Sequence, residues 1–229
     1  MVIGGLQKSS LIDYPGKVTC IIFTQGCNFA CPWCHNGSLL NQSKESLISE
    51  KTIFEFLNQR INLLDAVTIT GGEPTIQKKL IPFLYKLRKL PFLIKLDTNG
   101  YNPKVLNEIV ANKLVDYVAM DVKAPLHKYS LLTNTAVNVT LIKESIQIIK
   151  QSGIDYEFRT TYVAGLLNEN DLVTISQEID PVKKWVIQEF KPEKSVDKVS
   201  IFKSYPQNFN WFNIKNKLKK TACEQTYIR

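Results

Sequence analysis

The sequence predicts an α/β fold built on a parallel sheet, and two observations carry that prediction. Short β-branched runs alternate with amphipathic stretches between residues 18 and 189, and strands alternating with helical patterns imply parallel pairing through right-handed crossovers. The polar residues able to do chemistry gather at the carboxyl ends of those runs, where open sheets and barrels alike bind their ligands. Six such units could form an open Rossmann-like sheet or part of a barrel, and periodicity does not choose between them.

In chain order, residues 3–17 hold Gly4-Gly5 and the turn-rich Ser10-Leu11-Ile12-Asp13-Tyr14-Pro15-Gly16, which suggests a short hairpin or lid ahead of the first core strand at 18–24. Ser49 is a helix cap, and Ile53, Phe54, Leu57 and Ile61 recur at helical spacing, so a helix is expected through residue 62. Further strands are expected at 66–70, 93–97, 115–121, 157–163 and 184–189. Helices are expected at 76–89, 103–111, 138–151 and 169–179, with Pro82 as a kink or boundary in the first of these. The core is then a single domain over residues 1–190, followed by a basic tail at 191–229.

A chain of 229 residues can bury a substantial core without disulfide staples. Its five cysteines are odd in number and three are clustered, which argues against a secreted disulfide framework and for a reducing cytoplasm. Neither a signal-like leader nor an apolar run near 20 residues is present, so no membrane span is expected. The formal charge of +8 is scattered apart from Lys215, Lys217, Lys219 and Lys220. Without aromatic and arginine interleaving it reads as a solvated tail and not as a nucleic-acid platform.

The chain is organised around Cys27-Asn28-Phe29-Ala30-Cys31-Pro32-Trp33-Cys34, directly after the first core strand. Three thiolates this close can converge on one metal centre, whereas a closed zinc site or an ordinary iron–sulfur cluster takes four protein ligands. No fourth ligand stands at a matching spacing, so one metal position is left open; the alternative is a zinc or iron–sulfur binding module completed by His35 or the distant Cys223. The motif resembles the signature of the radical S-adenosylmethionine (radical SAM) superfamily. That resemblance implies a partial (β/α)6 barrel and a [4Fe–4S] cluster on Cys27, Cys31 and Cys34. It also implies that SAM is chelated at the fourth iron and cleaved by one electron to methionine and a 5′-deoxyadenosyl radical.

Gly71-Gly72-Glu73-Pro74 resembles the second motif of that superfamily, whose glycine backbone approaches the SAM amine; Glu73 would orient that amine or stabilise the turn. Asp97-Thr98-Asn99-Gly100 and Met120-Asp121-Val122-Lys123 resemble segments of the glycyl-radical-enzyme activases. There, Asp97, Thr98 and Asp121 would surround SAM and a monovalent cation, and Lys123 would reach the SAM carboxylate. The bland alternatives are a helix cap at Asp97 and a surface ion pair at Lys123. Arg159 sits mid-strand, where a guanidinium needs an anionic partner: the SAM carboxylate by resemblance, or Glu157 or Glu189 as a structural pair. Trp33 would pack near adenine or simply in the core. His35 reads as polar loop filling and Cys20 as an inert buried thiol.

The segments Gly4-Gly5-Leu6-Gln7-Lys8, Asp13-Tyr14-Pro15-Gly16-Lys17 and Tyr156-Glu157-Phe158-Arg159-Thr160-Thr161 resemble the activating proteins of anaerobic (class III) ribonucleoside-triphosphate reductases. This implies an oxidoreductase that removes a Cα hydrogen from one glycine of that partner, fed by a flavodoxin- or ferredoxin-like electron donor. Asp13 is the candidate contact for the incoming glycine loop, or a turn-forming aspartate. Only Cys20 and Cys223 remain outside the motif, which leaves no room for an auxiliary cluster. An activase of the pyruvate formate-lyase type and a small-molecule enzyme such as a 7-carboxy-7-deazaguanine synthase are the alternatives.

Overall fold

In the computed structural model of the protein, residues 1–40, 47–191, 214, 217–218 and 226–228 are described. One eight-stranded sheet organises them: β1 (Ile3–Ser10), β2 (Thr19–Thr24), β3 (Ala66–Gly71), β4 (Leu93–Thr98), β5 (Tyr117–Asp121), β6 (Asp155–Tyr162), β7 (Trp185–Glu189) and β8 (Thr226–Ile228). Spatial order follows chain order from β1 to β8. A doubly wound sheet reverses its order at a switch point, and a barrel does not. This sheet is therefore the partial barrel, left open between β1 and β8. β2 through β8 pair in parallel, and β1 alone runs antiparallel to its neighbour β2.

The six expected strands are β2 to β7, and the two further strands lie at the sheet edges. β1 makes the segment before residue 18 one arm of a hairpin whose other arm is the first core strand itself. β8 comes from the stretch read as a basic tail and pairs with β7 over three residues. Edge strands satisfy backbone groups that the outer core strands would otherwise expose, and a three-residue strand is too short to show periodicity. Cys223, Lys215, Lys219 and Lys220 lie outside the described residues.

Helices α1 (Glu50–Asn58), α2 (Leu80–Leu87), α3 (Pro103–Ala111), α4 (Tyr129–Thr133), α5 (Val139–Gln151) and α6 (Glu169–Ile179) connect the strands. Ser49 caps α1 by accepting from the Thr52 amide, but the helix ends at Asn58 and leaves Ile61 exposed. Pro82 falls in the first turn of α2, where a missing amide hydrogen costs no helical bond, so it causes no kink. Asn102, Asn138 and Asn168 cap α3, α5 and α6 through their side-chain oxygens. The five-residue α4 had no periodic signal to announce it.

Period-two alternation divides the strands between two environments. Val67, Ile69, Ile94, Leu96, Val118, Met120 and Phe158 join the main core with α2, α3, α5 and α6. A side chain such as Phe83, fully buried there, contributes about 1.5–3 kcal/mol. The alternate positions, Thr68, Lys95, Tyr117 and Glu157, are polar and also buried. Tyr14, in the connection from β1 to β2, covers part of that polar face: it packs with Ala66 and Ala119, its ring 5.6 Å from that of Tyr117.

Candidate active site

A cavity of about 330 Å³ opens at the carboxyl ends of the strands, and every residue proposed from the sequence to bind cluster, SAM or partner lines it. Asp13 reaches it from the β1–β2 connection, and Cys27, Cys31, Trp33 and Cys34 from the loop after β2. Gly71, Gly72 and Glu73 follow β3, Asp97 and Thr98 end β4, Asp121 and Lys123 end β5, and Arg159 stands on β6. Parallel pairing of β2 to β8 in sequence order brings these ends side by side.

The two glycines after β3 are required by the chain's own close packing. Gly71 has φ +112°, and a Cβ there would lie 2.4 Å from the Thr24 amide nitrogen; one on Gly72 would lie 2.0 Å from the Gly26 carbonyl oxygen. In this tight seam Gly72 N–H donates to Thr24 O and Glu73 N–H to Gly26 O, both at 2.8 Å. The Asn36 amide adds a 3.2 Å bond to Gly71 O. The glycine turn thus holds both ends of the cysteine loop. Glu73 is 1% exposed. Its Oε1 accepts from Thr75 N, Thr75 Oγ1 and Thr98 Oγ1, and its Oε2 accepts from Asn99 N. Burial pushes its carboxyl above the usual range even though all four donors favour the anion. The geometry thus gives Glu73 a turn-holding place between β3 and β4.

A chain of opposite charges crosses the floor of the cavity. Lys95 Nζ donates to Asp97 Oδ1 at 2.7 Å, and Arg159 donates from Nη1 to Asp97 Oδ2 at 3.0 Å and from Nε to Asp121 Oδ1 at 2.9 Å; Lys123 Nζ donates to Asp121 Oδ2 at 2.9 Å. Asp97 therefore ends a strand and caps no helix, while Lys123 is largely buried. Arg159 is paired with Asp97 and Asp121, and not with Glu157, which takes Lys184 at 2.7 Å. Burial alone would raise both aspartates, but the guanidinium overrides it and holds their carboxyls below the usual range. Asp121 in turn holds the Lys123 ammonium above its usual range against burial.

The cysteine loop presents a donor set suited to one centre with an open position. Cys27, Cys31 and Cys34 are free thiols at the cavity wall. Burial pushes the Cys27 and Cys31 thiols up to about 11, partly opposed by Lys123, so metal binding must displace their protons. The Phe29 amide donates to Cys27 Sγ at 3.4 Å. His35 Nε2 meets the Lys191 carbonyl at 3.2 Å and its ring packs 5.2 Å from that of Phe190, as expected of loop filling. Among the described residues no three Cys, His, Asp or Glu side chains converge as on a single metal ion. Three thiolates around a four-iron cluster leave one iron without a protein ligand, and the donors present fit that group. Cys20 is fully buried, and burial pushes its thiol up to about 12 against a backbone hydrogen bond that favours the thiolate.

Two further groups of residues belong to this site. Lys95, 2% exposed, was visible as a lysine inside the apolar run Leu93-Ile94-Lys95-Leu96, two positions before Asp97. Asn28, Asn36 and Asn99 carry only the weak signal of asparagines inside otherwise assigned motifs. Trp33 is 3% exposed, lies in the main core and also lines the cavity. Asp13 Oδ2 accepts from the Ser10 hydroxyl, and Ser10 Oγ accepts from the Ile12 amide, so Asp13 stabilises a turn while facing the cavity.

Comparison with known proteins agrees with this geometry. A Methanocaldococcus jannaschii protein provisionally named a glycyl-radical enzyme activating enzyme is 35% identical over 236 aligned residues, covering 100% of this chain and 95% of that protein. The pyruvate formate-lyase-activating enzyme of Clostridium pasteurianum is 30% identical over 131 residues, 54% of each chain. Streptococcus suis SuiB, in a crystal structure bound to precursor peptide SuiA, superposes with a TM-score of 0.67 at 14% identity, over 91% of this chain and 48% of its own. That likeness concerns the fold. Among the described residues no helix is long and apolar enough to cross a membrane. The sequence profile of the radical SAM superfamily matches residues 21–179, well over half of the chain, and the protein belongs to that superfamily, whose members use a [4Fe–4S] cluster and SAM.

Proposed function

We propose that this protein is a glycyl-radical-enzyme activase whose partner is an anaerobic ribonucleoside-triphosphate reductase. The observation that carries the activase reading is the whole-length similarity to the Methanocaldococcus relative, combined with a cavity that gathers three thiols and the Lys95–Asp97–Arg159–Asp121–Lys123 chain. When bound, the cluster and SAM supply a 5′-deoxyadenosyl radical that removes one Cα hydrogen from a glycine of the partner. The protein's own residues bind and orient. Cys27, Cys31 and Cys34 hold the cluster, and the Gly71-Gly72 turn fixes their loop against β3. Lys123 and Arg159 offer positive charge to the SAM carboxylate, while Asp97 and Asp121 balance the sulfonium and ammonium in a partly desolvated cavity. Trp33 packs near the adenine, and a monovalent cation beside Asp97, Thr98 and Asp121 completes the charge balance. Asp13 meets the glycine loop of the partner, and a flavodoxin- or ferredoxin-like protein supplies the electron.

The similarity to the Clostridium enzyme supports a second partner class, an acyl-lyase of the pyruvate formate-lyase type. One experiment separates the readings. The protein is reconstituted anaerobically with iron and sulfide, reduced, and incubated with SAM and either partner enzyme, then examined by electron paramagnetic resonance. A glycyl radical doublet on the reductase is the expected result. A doublet only on the lyase moves the partner; 5′-deoxyadenosine without a doublet on either leaves the radical SAM core standing and moves the substrate to another glycyl radical enzyme or a small molecule. Cys31→Ala is expected to abolish SAM cleavage while leaving the far-ultraviolet circular dichroism unchanged, and full activity in that variant sinks the cluster assignment.

A further inference from the structure

We infer that Asn99 is a positioning residue that raises the reduction potential of the metal centre by donating a hydrogen bond to the Cys27 sulfur; this rests on the reading that Cys27, Cys31 and Cys34 hold a [4Fe–4S] cluster. Asn99 follows β4 and is 5% exposed. Its backbone N–H donates to Glu73 Oε2 at 2.7 Å, and its Oδ1 accepts from the Tyr101 amide at 3.0 Å. An amide hydrogen pointing at Oδ1 settles which end of the side chain is oxygen, so the other end carries the two hydrogens. That end, Nδ2, stands 2.8 Å from Asn28 Oδ1 and 3.9 Å from Cys27 Sγ and is the donor to both.

Cys27 thus receives a backbone donor, Phe29 N–H, and a side-chain donor, Asn99 Nδ2. The Cys27 thiol itself faces Asn28 Oδ1 at 3.8 Å, a bond that ends when the sulfur gives up its proton to hold a metal. Donors on a ligating thiolate withdraw negative charge and favour the reduced, more negative state of the cluster, which raises its potential. The backbone donor survives any side-chain substitution, and the asparagine donor does not. Asn28 Oδ1 accepts from the same Asn99 Nδ2 and so helps to fix the plane of that amide. The end of β4 and the loop after it therefore serve two sides of the cavity, with Asp97 in the charge chain and Asn99 at the cysteines.

The test compares wild type, Asn99→Ala and Asn99→Leu after anaerobic reconstitution. Iron and sulfide content is measured first, and midpoint potentials then come from a mediated redox titration read by the paramagnetic signal of the reduced cluster without SAM. Asn99→Ala is expected to lower the midpoint, with a reduced-to-oxidised ratio about tenfold smaller at fixed potential, equivalent to about 59 mV for one electron. Asn99→Leu, which keeps most of the side-chain volume and lacks the donor, is expected to shift it in the same direction. A fully loaded Asn99→Ala protein with the wild-type midpoint overturns the inference. If Asn99→Ala does not load, Asn99→Leu decides, and an unchanged midpoint there overturns it equally. Failure of wild type itself to take up a cluster is a separate result that removes the cluster reading and this inference with it.

Discussion

Replacing Arg159 with Met should destabilise the protein in a manner that depends on pH. The substitution keeps most of the side-chain volume and removes two charge-assisted hydrogen bonds, to Asp97 at 3.0 Å and to Asp121 at 2.9 Å. Each such bond contributes about 1.5–3 kcal/mol. Losing a partner costs most when a buried charge is left bare, but here Asp97 keeps Lys95 and Asp121 keeps Lys123. The lower end, about 3 kcal/mol in total, is therefore expected. For a chain of this size that lowers the thermal midpoint by roughly 6–12 °C at pH 7. Because the folded protein holds both aspartates below the usual carboxyl range, the stability that Arg159 confers is fully present above about pH 4 and is lost as pH falls below it. Thermal unfolding of wild type and variant by circular dichroism between pH 7 and pH 3 reads this directly. The gap in midpoint should narrow on acidification. A gap that is absent at pH 7, or that stays constant or widens down to pH 3, refutes the assignment of Arg159 to the two aspartates.

The other predictions address the cysteine loop and its supports. Gly72→Ala would place a Cβ 2.0 Å from the Gly26 carbonyl oxygen, so iron uptake on reconstitution should fall severalfold; Gly5→Ala, where a Cβ meets nothing closer than 3.5 Å, should load normally. Glu73→Gln supplies one acceptor oxygen where four donors now converge on two, and a loss of about 1–3 kcal/mol is expected in denaturant unfolding. An unchanged midpoint concentration would show that the turn does not depend on the anion. In metal-free protein, burial keeps Cys27 and Cys31 protonated at neutral pH, so their alkylation by iodoacetamide should keep rising up to about pH 11. A plateau near the pH of an ordinary exposed thiol, read by peptide mass spectrometry, would contradict that.

What the sequence determined by itself was whatever rests on local chemistry. Period-two and 3.6-residue patterns marked β2 to β7 and every helix but α4 from their own side chains, and the bounds of α3 and α6 match the expected 103–111 and 169–179 because a cap and an apolar stripe lie within each segment. Cysteine spacing, the glycine pair and the strand-end aspartates were legible because such chemistry depends on residue type and interval. Tertiary structure alone decided which charges meet. Arg159 and Asp97 stand 62 residues apart, and β4, β5 and β6 must lie side by side before the guanidinium can choose Asp97 and Asp121 over the nearer Glu157. The same holds for the glycines, whose requirement is set by the approach of Gly72 to Gly26, and for Asn99, which reaches Cys27 only once β3 and β4 have aligned their ends. Sequence order in the sheet, which separates a partial barrel from a doubly wound sheet, is likewise a property of long-range pairing and leaves no mark on any single segment.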